Sequence, residues 1–401
     1  ARATRPAEIP ELVHDALSAA RRGRPRPVGL EIAPAVFAAL EEVQTIETEP
    51  TSPLEAEKMV IDQAAQLLRQ AQRPIIWAGG GVQRAGAGQL VQTLAELLNA
   101  PVVTSRQGKG VLSDRHPLSL GFAESRYAPL REWLTTRDLI LAVGTSTNFG
   151  KYAQAVIQID VDPAQISAGV HVTGVVSDAG AALSSLCELI ATGEFTPHRE
   201  QHAVHAEVAA LNAARFNPAD QLQPQWDLMQ AIRRALPDDA VVVQGMNQMG
   251  YYSRNYFPVY AEHSYLTSSS LATLGCAFPL ALGAKVGQPH RTVVALSADG
   301  GFLYNSQELA TAVQYGINTI VILFNDNAYG NVLRAQEENF DGRVIGTELH
   351  NPDFVKLAQS YGAAAWLARD AGELEATLRK AVAVGRPVVI EVPVGKLARV
   401  Y

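Results

Sequence analysis

The sequence predicts an α/β protein with two doubly wound parallel-sheet domains, preceded by the remnant of a third. Short apolar runs alternate with longer amphipathic segments over residues 54–193 and again over residues 210–398. Apolar runs without a period of two are typical of strands that helices cover on both faces of a parallel sheet. Residues 1–45 contain one helical pattern and one short apolar run, which cannot bury a core of their own.

Composition limits the classes of function. At 401 residues, with 47% apolar and 18% charged residues, the chain suits a folded protein of two or three domains. The net charge of −7 gives no reason to expect binding to nucleic acid or to an anionic membrane. No apolar run is long enough to span a membrane. Two distant cysteines, Cys187 and Cys276, argue against a disulfide framework and favour a reducing cytoplasm.

The first segment is predicted to contain a helix that begins at Pro10 and ends at Gly23, and then a short strand over residues 27–32. Residues 41–53 are acidic and contain several Thr and Pro residues. This composition is typical of a linker.

The second segment, residues 54–193, shows a regular alternation of elements. We predict helices over residues 56–68 and 88–98, and strands over residues 74–78, 101–104, 139–143 and 156–161. A run of three glycines at residues 79–81 follows the first strand and suggests a dinucleotide-binding loop. The third glycine of that motif is replaced by Arg84, so the match is weak.

The third segment, residues 210–398, repeats this organisation after a connection that contains a helix around residues 200–214. Strands are predicted over residues 240–243, 292–297, 319–324 and 388–392, with helices between them, one of them over residues 306–315.

Two polar clusters follow neighbouring strands of the third segment. Residues 297–302 read Ser-Ala-Asp-Gly-Gly-Phe, and residues 325–330 read Asn-Asp-Asn-Ala-Tyr-Gly. Because the carboxyl ends of parallel strands meet at one edge of a sheet, we expect Asp299 and Asp326 to converge. The glycines let backbone N–H groups approach a phosphate, and an all-oxygen site suits Mg²⁺. The alternative is that Asp299 begins a turn and Asp326 caps a helix.

The compound pattern resembles the thiamine-diphosphate (ThDP) enzyme family typified by acetolactate synthase and benzoylformate decarboxylase. The family signature is Gly-Asp-Gly, a helix and a strand, and then Asn-Asn, whereas this sequence has Ala298 and Asp326 at two of those positions. The resemblance implies ThDP and Mg²⁺ as cofactors, with metal ligands from the side chains of Asp299 and Asp326 and the backbone carbonyl of Ala328. It also implies cofactor contacts from three adjoining residues, namely Gly300, Gly301 and Tyr329.

Two upstream segments extend the resemblance. Residues 270–279, Ser-Leu-Ala-Thr-Leu-Gly-Cys-Ala-Phe-Pro, resemble the family's Gly-x-Met/Leu-Gly-x-x-x-Pro segment. This implies that Leu274 supports a bent cofactor and that the carbonyl of Ala272 accepts from its 4′-amino group; plain core packing is the alternative for Leu274. Residues 243–249 resemble the first phosphate loop, which implies diphosphate contacts from Gly245, Met246 and Asn247.

The middle segment resembles the family's central domain at residues 73–82 and 158–163. Acetolactate synthases that bind FAD carry Arg-Phe-Asp-Asp-Arg after the Val-Gly pair that corresponds to residues 143–144. This sequence has Thr-Ser-Thr-Asn at residues 145–148, which makes FAD doubtful and favours a structural middle domain.

The resemblance implies that the activating glutamate lies in an N-terminal pyrimidine-binding domain, of which residues 1–45 resemble only the end. Glu8, Glu11 and Glu31 do not match the catalytic position, so we expect the catalytic glutamate outside these residues, either in a missing part of the same protein or on another polypeptide, and little turnover by this chain alone. No catalytic residue can therefore be named within it. Because family sites form between subunits, we expect a homodimer or homotetramer.

The implied reaction makes or breaks a carbon–carbon bond of a 2-oxo acid, in the manner of acetolactate synthase. Simple decarboxylation and acyl-CoA lyase chemistry remain alternatives. Pyruvate-decarboxylase-like enzymes carry a Glu where this sequence has Val332, while the Gln-Trp pair of acetolactate synthases is replaced by Arg334 and Ala335. Two alternative hypotheses assign the protein to other functional classes. It would be a non-catalytic subunit with the ThDP fold, or a nucleotide-binding oxidoreductase that uses the glycine run.

Overall fold

The computed structural model describes residues 1–47, 52–123, 127–146, 155–169, 171–192, 195–268 and 271–400. These residues form two six-stranded sheets and one two-stranded sheet, and every strand pair is parallel.

The N-terminal segment is small and carries little core. Its elements are β1 Arg2–Ala3, α1 Ile9–Arg21, β2 Glu31–Ile32 and α2 Pro34–Ala38. The predicted helix is observed, but the predicted strand shrinks to its last two residues because only these pair with β1. Among the apolar side chains of residues 1–47, Ala3 and Val36 alone are buried. The segment therefore does not bury a core of its own.

The middle sheet is formed by β3 Pro74–Ala78, β4 Val102–Thr104, β5 Ser119–Phe122, β6 Leu139–Val143, β7 Ala155–Asp160 and β8 Val172–Val176. Their order across the sheet is β5-β4-β3-β6-β7-β8. The central strands β3 and β6 are buried along their whole length, as their uninterrupted apolar sequences require. The sheet carries α3 Lys58–Gln70, α4 Gly80–Ala85, α5 Gly88–Leu98, α6 Ala128–Thr135 and α7 Ala179–Thr192.

The C-terminal sheet follows a connecting helix, α8 Gln201–Arg215. Its strands are β9 Val241–Gln244, β10 Tyr265–Thr267, β11 Val293–Ala298, β12 Ile320–Asn325, β13 Ala364–Leu367 and β14 Val388–Pro393. Their order is β10-β9-β11-β12-β14-β13, so β11 and β12 occupy the centre. The helices are α9 Gln225–Ala235, α10 Gln248–Tyr256, α11 Ala277–Gly287, α12 Asp299–Leu303, α13 Glu308–Gln314, α14 Gly330–Asn339, α15 Phe354–Ser360 and α16 Ala371–Ala383.

Alternate residues of the C-terminal strands enter two separate cores. Along β12, Ile322 and Phe324 pack into one apolar cluster, while Val321 and Leu323 pack into a second cluster on the opposite face. Side chains of a strand alternate between the faces of its sheet, so both faces are covered. This arrangement confirms the prediction of doubly wound parallel sheets. Among the described residues, no helix is both long enough and apolar enough to cross a membrane.

Candidate active site

The two predicted acidic ligands lie at the end of adjacent central strands. Strands β11 and β12 are paired in parallel, with Ala298 opposite Phe324. Asp299 begins α12 immediately after β11, and Asp326 follows the last residue of β12. The two carboxyl groups lie close enough for the charge of Asp299 to raise the pKa of Asp326. The expected convergence is therefore observed, while the role of these residues as metal ligands stays a prediction.

Burial changes the acidity of this carboxyl pair. Asp299 is fully buried, and loss of hydration raises its pKa above the ordinary value of 3.8. Burial, and then the neighbouring charge of Asp299, raise the pKa of Asp326 to about 7. Atom Oδ1 of Asp299 is buried and has no hydrogen-bond partner within the described part of the chain. A pair of this kind holds a proton near neutral pH unless a cation replaces it.

Asn351, which no sequence motif indicated, organises the oxygen atoms of the site. Its Nδ2 lies 2.7 Å from Asp299 Oδ2, 2.9 Å from Asn325 Oδ1 and 3.2 Å from Asn327 Oδ1. An amide nitrogen has two N–H bonds, so these three oxygens cannot all receive a full hydrogen bond. No local motif marks Asn351, because it lies in a distant loop and acts only through the fold.

The loop that carries Ala328 is held in place by its backbone. The N–H of Tyr329 donates to the carbonyl of Thr347 at 2.8 Å, and the N–H of Leu349 donates to the carbonyl of Asn327 at 2.8 Å. These bonds form an isolated antiparallel bridge between Ala328 and Glu348 and do not use the carbonyl of Ala328. That carbonyl is therefore left out of the bridge and can serve as a ligand, as the resemblance implies.

Glycines bring the backbone against the acidic pair. A Cβ at Gly330 would lie 2.4 Å from Asp326 Oδ2, and a Cβ at Gly300 would lie 2.6 Å from the Tyr329 ring. At Gly245, a Cβ would lie 2.5 Å from the carbonyl oxygen of Leu296. Side chains at these positions would displace a predicted ligand, a ring beside it or the adjoining strand. In contrast, the nearest atom to a Cβ at Gly301 would be 3.8 Å away, so space alone does not require that glycine.

A cavity of about 70 Å³ lies beside this pair. Most of the predicted residues line it: Met246, Asn247, Leu274, Gly300, Gly301, Asp326, Ala328 and Tyr329. Three predicted residues do not. Asp299 is fully buried and Gly245 packs against β11, whereas Ala272 is exposed and has a left-handed backbone with φ of 50°. Ser270, part of the motif that contains Ala272, lies outside the described residues.

Two of the lining residues, Asn247 and Leu274, differ in role: the first has a structural role, and the second is available to bind a ligand. Asn247 caps α10, since its Oδ1 accepts from the N–H of Gly250 at 2.8 Å, and its Nδ2 donates to the carbonyl of Leu296 at 2.9 Å. The structure therefore gives this side chain a local role in shaping the loop. Leu274 is 38% exposed, which argues against plain core packing and leaves its side chain available at the cavity.

A second polar group on the cavity wall was also missed. Gln248 Nε2 donates to Asn331 Oδ1, and Gln248 Oε1 accepts from the N–H of Val400 at 3.2 Å. Arg334, which follows on the same helix as Asn331, donates to the carbonyl of Leu397 at 2.6 Å. Thus one nitrogen of the Arg334 guanidinium holds the C-terminal segment rather than standing free in solvent.

A larger cleft of about 550 Å³ lies between the middle unit and residues 23–25 of the N-terminal segment, and Gly80, Gly81 and Arg84 contribute to its lining. A Cβ at Gly79 would lie 2.2 Å from the carbonyl oxygen of Gly144, and one at Gly81 would lie 2.6 Å from its Cα. Close packing of two strand ends therefore accounts for these glycines without a bound phosphate. Of residues 145–148, whose sequence makes FAD doubtful, Thr147 and Asn148 lie outside the described residues.

Within the described ranges, no group of three or more His, Cys, Asp or Glu side chains is arranged to hold a metal ion. A cation at the Asp299–Asp326 pair would accordingly need backbone or cofactor oxygens to complete its ligands.

Comparison with known protein families defines the class of protein. Residues 61–186 match the central domain of the thiamine pyrophosphate enzymes, and residues 245–392 match their C-terminal domain that binds thiamine pyrophosphate, another name for ThDP. The site described above lies within or next to the second match.

The similarity to individual proteins is consistent with these matches. The chain is 30% identical to a "probable acetolactate synthase large subunit" of Methanocaldococcus jannaschii over 97% of the chain and 70% of that protein. It is 34% identical to a "probable 2-ketoarginine decarboxylase" of Pseudomonas aeruginosa over 93% of the chain and 68% of that protein. An acetolactate synthase large subunit of Corynebacterium glutamicum is 30% identical over 99% of the chain and 67% of its own length. The chain belongs to the ThDP-dependent enzyme family of the acetolactate synthase type.

Proposed function

We propose that the protein uses ThDP and Mg²⁺ to form or cleave a carbon–carbon bond of a 2-oxo acid, as acetolactate synthases do. The observation that carries this proposal is the buried Asp299–Asp326 pair beside the cavity, with an unpartnered carboxylate oxygen. The family defines the cofactor class, and this pair supports the particular way in which it is held.

The donor set fits Mg²⁺. Asp299, Asp326 and the carbonyl of Ala328 offer hard oxygen atoms, and phosphate oxygens would supply further ligands. A cation would neutralise two adjacent carboxyl groups whose pKa values are raised by burial. It would also provide a partner for Asp299 Oδ1.

The surrounding wall fits a diphosphate and the apolar parts of a cofactor. Gly300 and Gly301 present backbone with no side chain to the cavity, which allows phosphate oxygens to approach. Leu274 and Val332 supply apolar surface on the same wall. When bound, ThDP acts as the electron sink for the carbanion that such reactions require. The residues of this chain hold and orient it and exclude water around it.

Carboligation is our first choice of reaction. Val332 is apolar where the pyruvate-decarboxylase-like branch carries an acid, and two of the relatives reported above carry the name acetolactate synthase large subunit, one of them with the word probable. Decarboxylation of a 2-oxo acid is the second candidate, supported by the relative named as a 2-ketoarginine decarboxylase. Acyl-CoA lyase chemistry is not favoured by any contact described above.

Three further expectations stay proposals. The acid that activates the cofactor lies outside residues 1–401, the site is completed by a second copy in a homodimer or homotetramer, and the protein acts in the cytoplasm. Size-exclusion chromatography with light scattering on the full-length protein tests the second of these, because a purely monomeric active enzyme would contradict it.

The first experiment is calorimetric titration of ThDP into the full-length protein, with and without Mg²⁺. We expect Mg²⁺-dependent binding that the Asp299→Ala, Asp326→Ala double variant loses and that Asp15→Ala, an exposed carboxylate on α1, retains. Pyruvate and 2-ketoarginine are then supplied to the loaded enzyme, and the products are identified. Equal ThDP binding by the wild type and the double variant would refute the site. Binding without consumption of either 2-oxo acid would refute the proposed chemistry and favour a non-catalytic subunit.

A further inference from the structure

A chain of three hydrogen-bonding groups fixes the orientation of an amide on the cavity wall. The backbone N–H of Val400 lies 3.2 Å from the side-chain oxygen of Gln248, and the Nε2 of Gln248 donates to Asn331 Oδ1. A backbone N–H can only donate, so the Gln248 atom that faces it must be the oxygen. The other end of that amide is then the NH₂ group, and the Asn331 atom that it meets must also be an oxygen.

The first group of this hydrogen-bonded series, the backbone N–H of Val400, lies in a segment that is held in place by its neighbours. Leu397 is buried, and its carbonyl accepts from Arg334 at 2.6 Å. The carbonyl of Ala398 accepts from Gln225 Nε2 at 2.9 Å. Two residues further on, the N–H of Val400 is thereby brought to Gln248, which is itself buried.

The last group of this hydrogen-bonded series, the side-chain amide of Asn331, has a free donor. With Oδ1 of Asn331 turned toward Gln248, its Nδ2 is directed elsewhere, and this nitrogen has no hydrogen-bond partner among the residues that the structure describes. Asn331 lines the cavity, and its neighbours there include the apolar side chains of Val332 and Leu274. A neutral NH₂ group cannot bind a metal ion but can donate to an oxygen of a ligand.

We propose that Asn331 binds the substrate by donating from Nδ2 to a carboxylate oxygen of the 2-oxo acid, and that Gln248 is a positioning residue that keeps this donor turned toward the cavity. The inference rests on the proposed function, because it assigns the substrate contact of the same site. Neither residue carries a charge, so this contact keeps its strength across the pH range in which the acidic pair titrates.

The positioning role gives a sharp test. In Gln248→Glu, both carboxylate oxygens accept, so the amide of Asn331 must turn its NH₂ toward Glu and present Oδ1 to the substrate. The variant therefore reverses the polarity of Asn331 without altering Asn331. We expect KM for the 2-oxo acid consumed by the wild type, pyruvate or 2-ketoarginine, to rise about 10- to 100-fold, the usual effect of losing a hydrogen bond to a charged group. Asn331→Ala should raise KM similarly, and kcat should change much less.

The double variant separates positioning from general damage. If Gln248 acts only through Asn331, then Gln248→Glu should have no further effect on KM in the Asn331→Ala background. Gln314→Glu, on the exposed face of α13, is the matched control for added charge and should leave KM unchanged. Affinity for ThDP with Mg²⁺ should stay within about 3-fold in Gln314→Glu, because this residue does not line the cavity.

Two outcomes would overturn the inference while the proposed function stands: an unchanged KM in Gln248→Glu, or KM effects that multiply in the double variant. If the wild type consumes neither 2-oxo acid, the proposed function fails, and titration of methyl acetylphosphonate, an anionic pyruvate mimic that has no carboxylate to lose, measures binding to the donor directly. Weaker binding of this mimic to Gln248→Glu and Asn331→Ala than to the wild type would support the donor. Equal binding, or no binding to the wild type, would overturn it.

Discussion

Binding of Mg²⁺ and ThDP should expel the proton that the acidic pair holds. With a pKa of about 7 for Asp326, roughly 0.9 of these carboxyls are protonated at pH 6 and roughly 0.1 at pH 8. A metal ion requires the ionised form. We therefore expect release of about 0.9 protons per site at pH 6 and about 0.1 at pH 8 from this group.

Calorimetry in two buffers of different ionisation enthalpy counts these protons. The cofactor can exchange protons of its own, so the informative quantity is the difference between the wild type and Asp326→Asn, which keeps an oxygen ligand and has no titrating group. Release of the same number of protons by both proteins at pH 6 would contradict this prediction.

The same pair should set the pH dependence of stability in the absence of metal. A carboxyl whose pKa is raised by folding favours the folded state at low pH, and this contribution is lost as the pH rises from about 4 to about 7. The rise from 3.8 to about 7 corresponds to about 4 kcal/mol at full strength. Asp326 is partly exposed, so solvent screening leaves about 1–2 kcal/mol. Metal-free Asp326→Asn should exceed the wild type in stability by that amount at pH 8, as urea unfolding would measure.

Two further predictions concern other positions. Gly330→Ala should weaken Mg²⁺-dependent ThDP binding at least 10-fold, a loss of about 1.4 kcal/mol or more, because its Cβ would lie 2.4 Å from Asp326 Oδ2. The control is Gly283→Ala in α11, where an added Cβ would have no atom within 4 Å; this variant should bind ThDP normally and be slightly more stable. Normal ThDP binding by Gly330→Ala would contradict the predicted steric clash. Burial raises the pKa of Cys187 to about 11, so this thiol should not react in the native protein, whereas Cys276 is only partly buried. Cys187→Ser should therefore leave the number of fast-reacting thiols unchanged in a dithiobis-nitrobenzoate assay. Loss of a fast-reacting thiol in this variant would contradict the burial of Cys187.

The strand predictions show where sequence patterns carry information. The eight predicted strands of the two large domains correspond to the interior strands, which are the eight that remain when β5, β8, β10 and β13 are set aside. These four missed strands are the edges of the two sheets. An interior strand is covered on both faces and needs a continuous apolar run, whereas β8, Val-Thr-Gly-Val-Val, is half-exposed and contains Gly174. Edge strands are defined by one neighbour and leave a weaker pattern.

The site was predictable to the extent that it is local in sequence. Asp299 and Asp326 were found because each follows a recognisable strand, and the parallel order then brings them together. Asn351 and the Gln248–Asn331 pair were not found, because their partners lie far away in the chain and no spacing rule links them. The domain boundaries and the roles of the site residues stay predictions, supported by family matches that fall inside the expected segments.

The place of β11 and β12 at the centre of their sheet has a consequence for fluctuations of the native state. Proteins open locally from their least protected elements, and in this sheet those are the edge strands β10 and β13. Each central strand is bonded on both sides, so it exchanges its amide hydrogens only in the larger and rarer openings. The two carboxylates are therefore attached to the strands of this sheet that open least often. Their spacing persists while the periphery frays and re-forms.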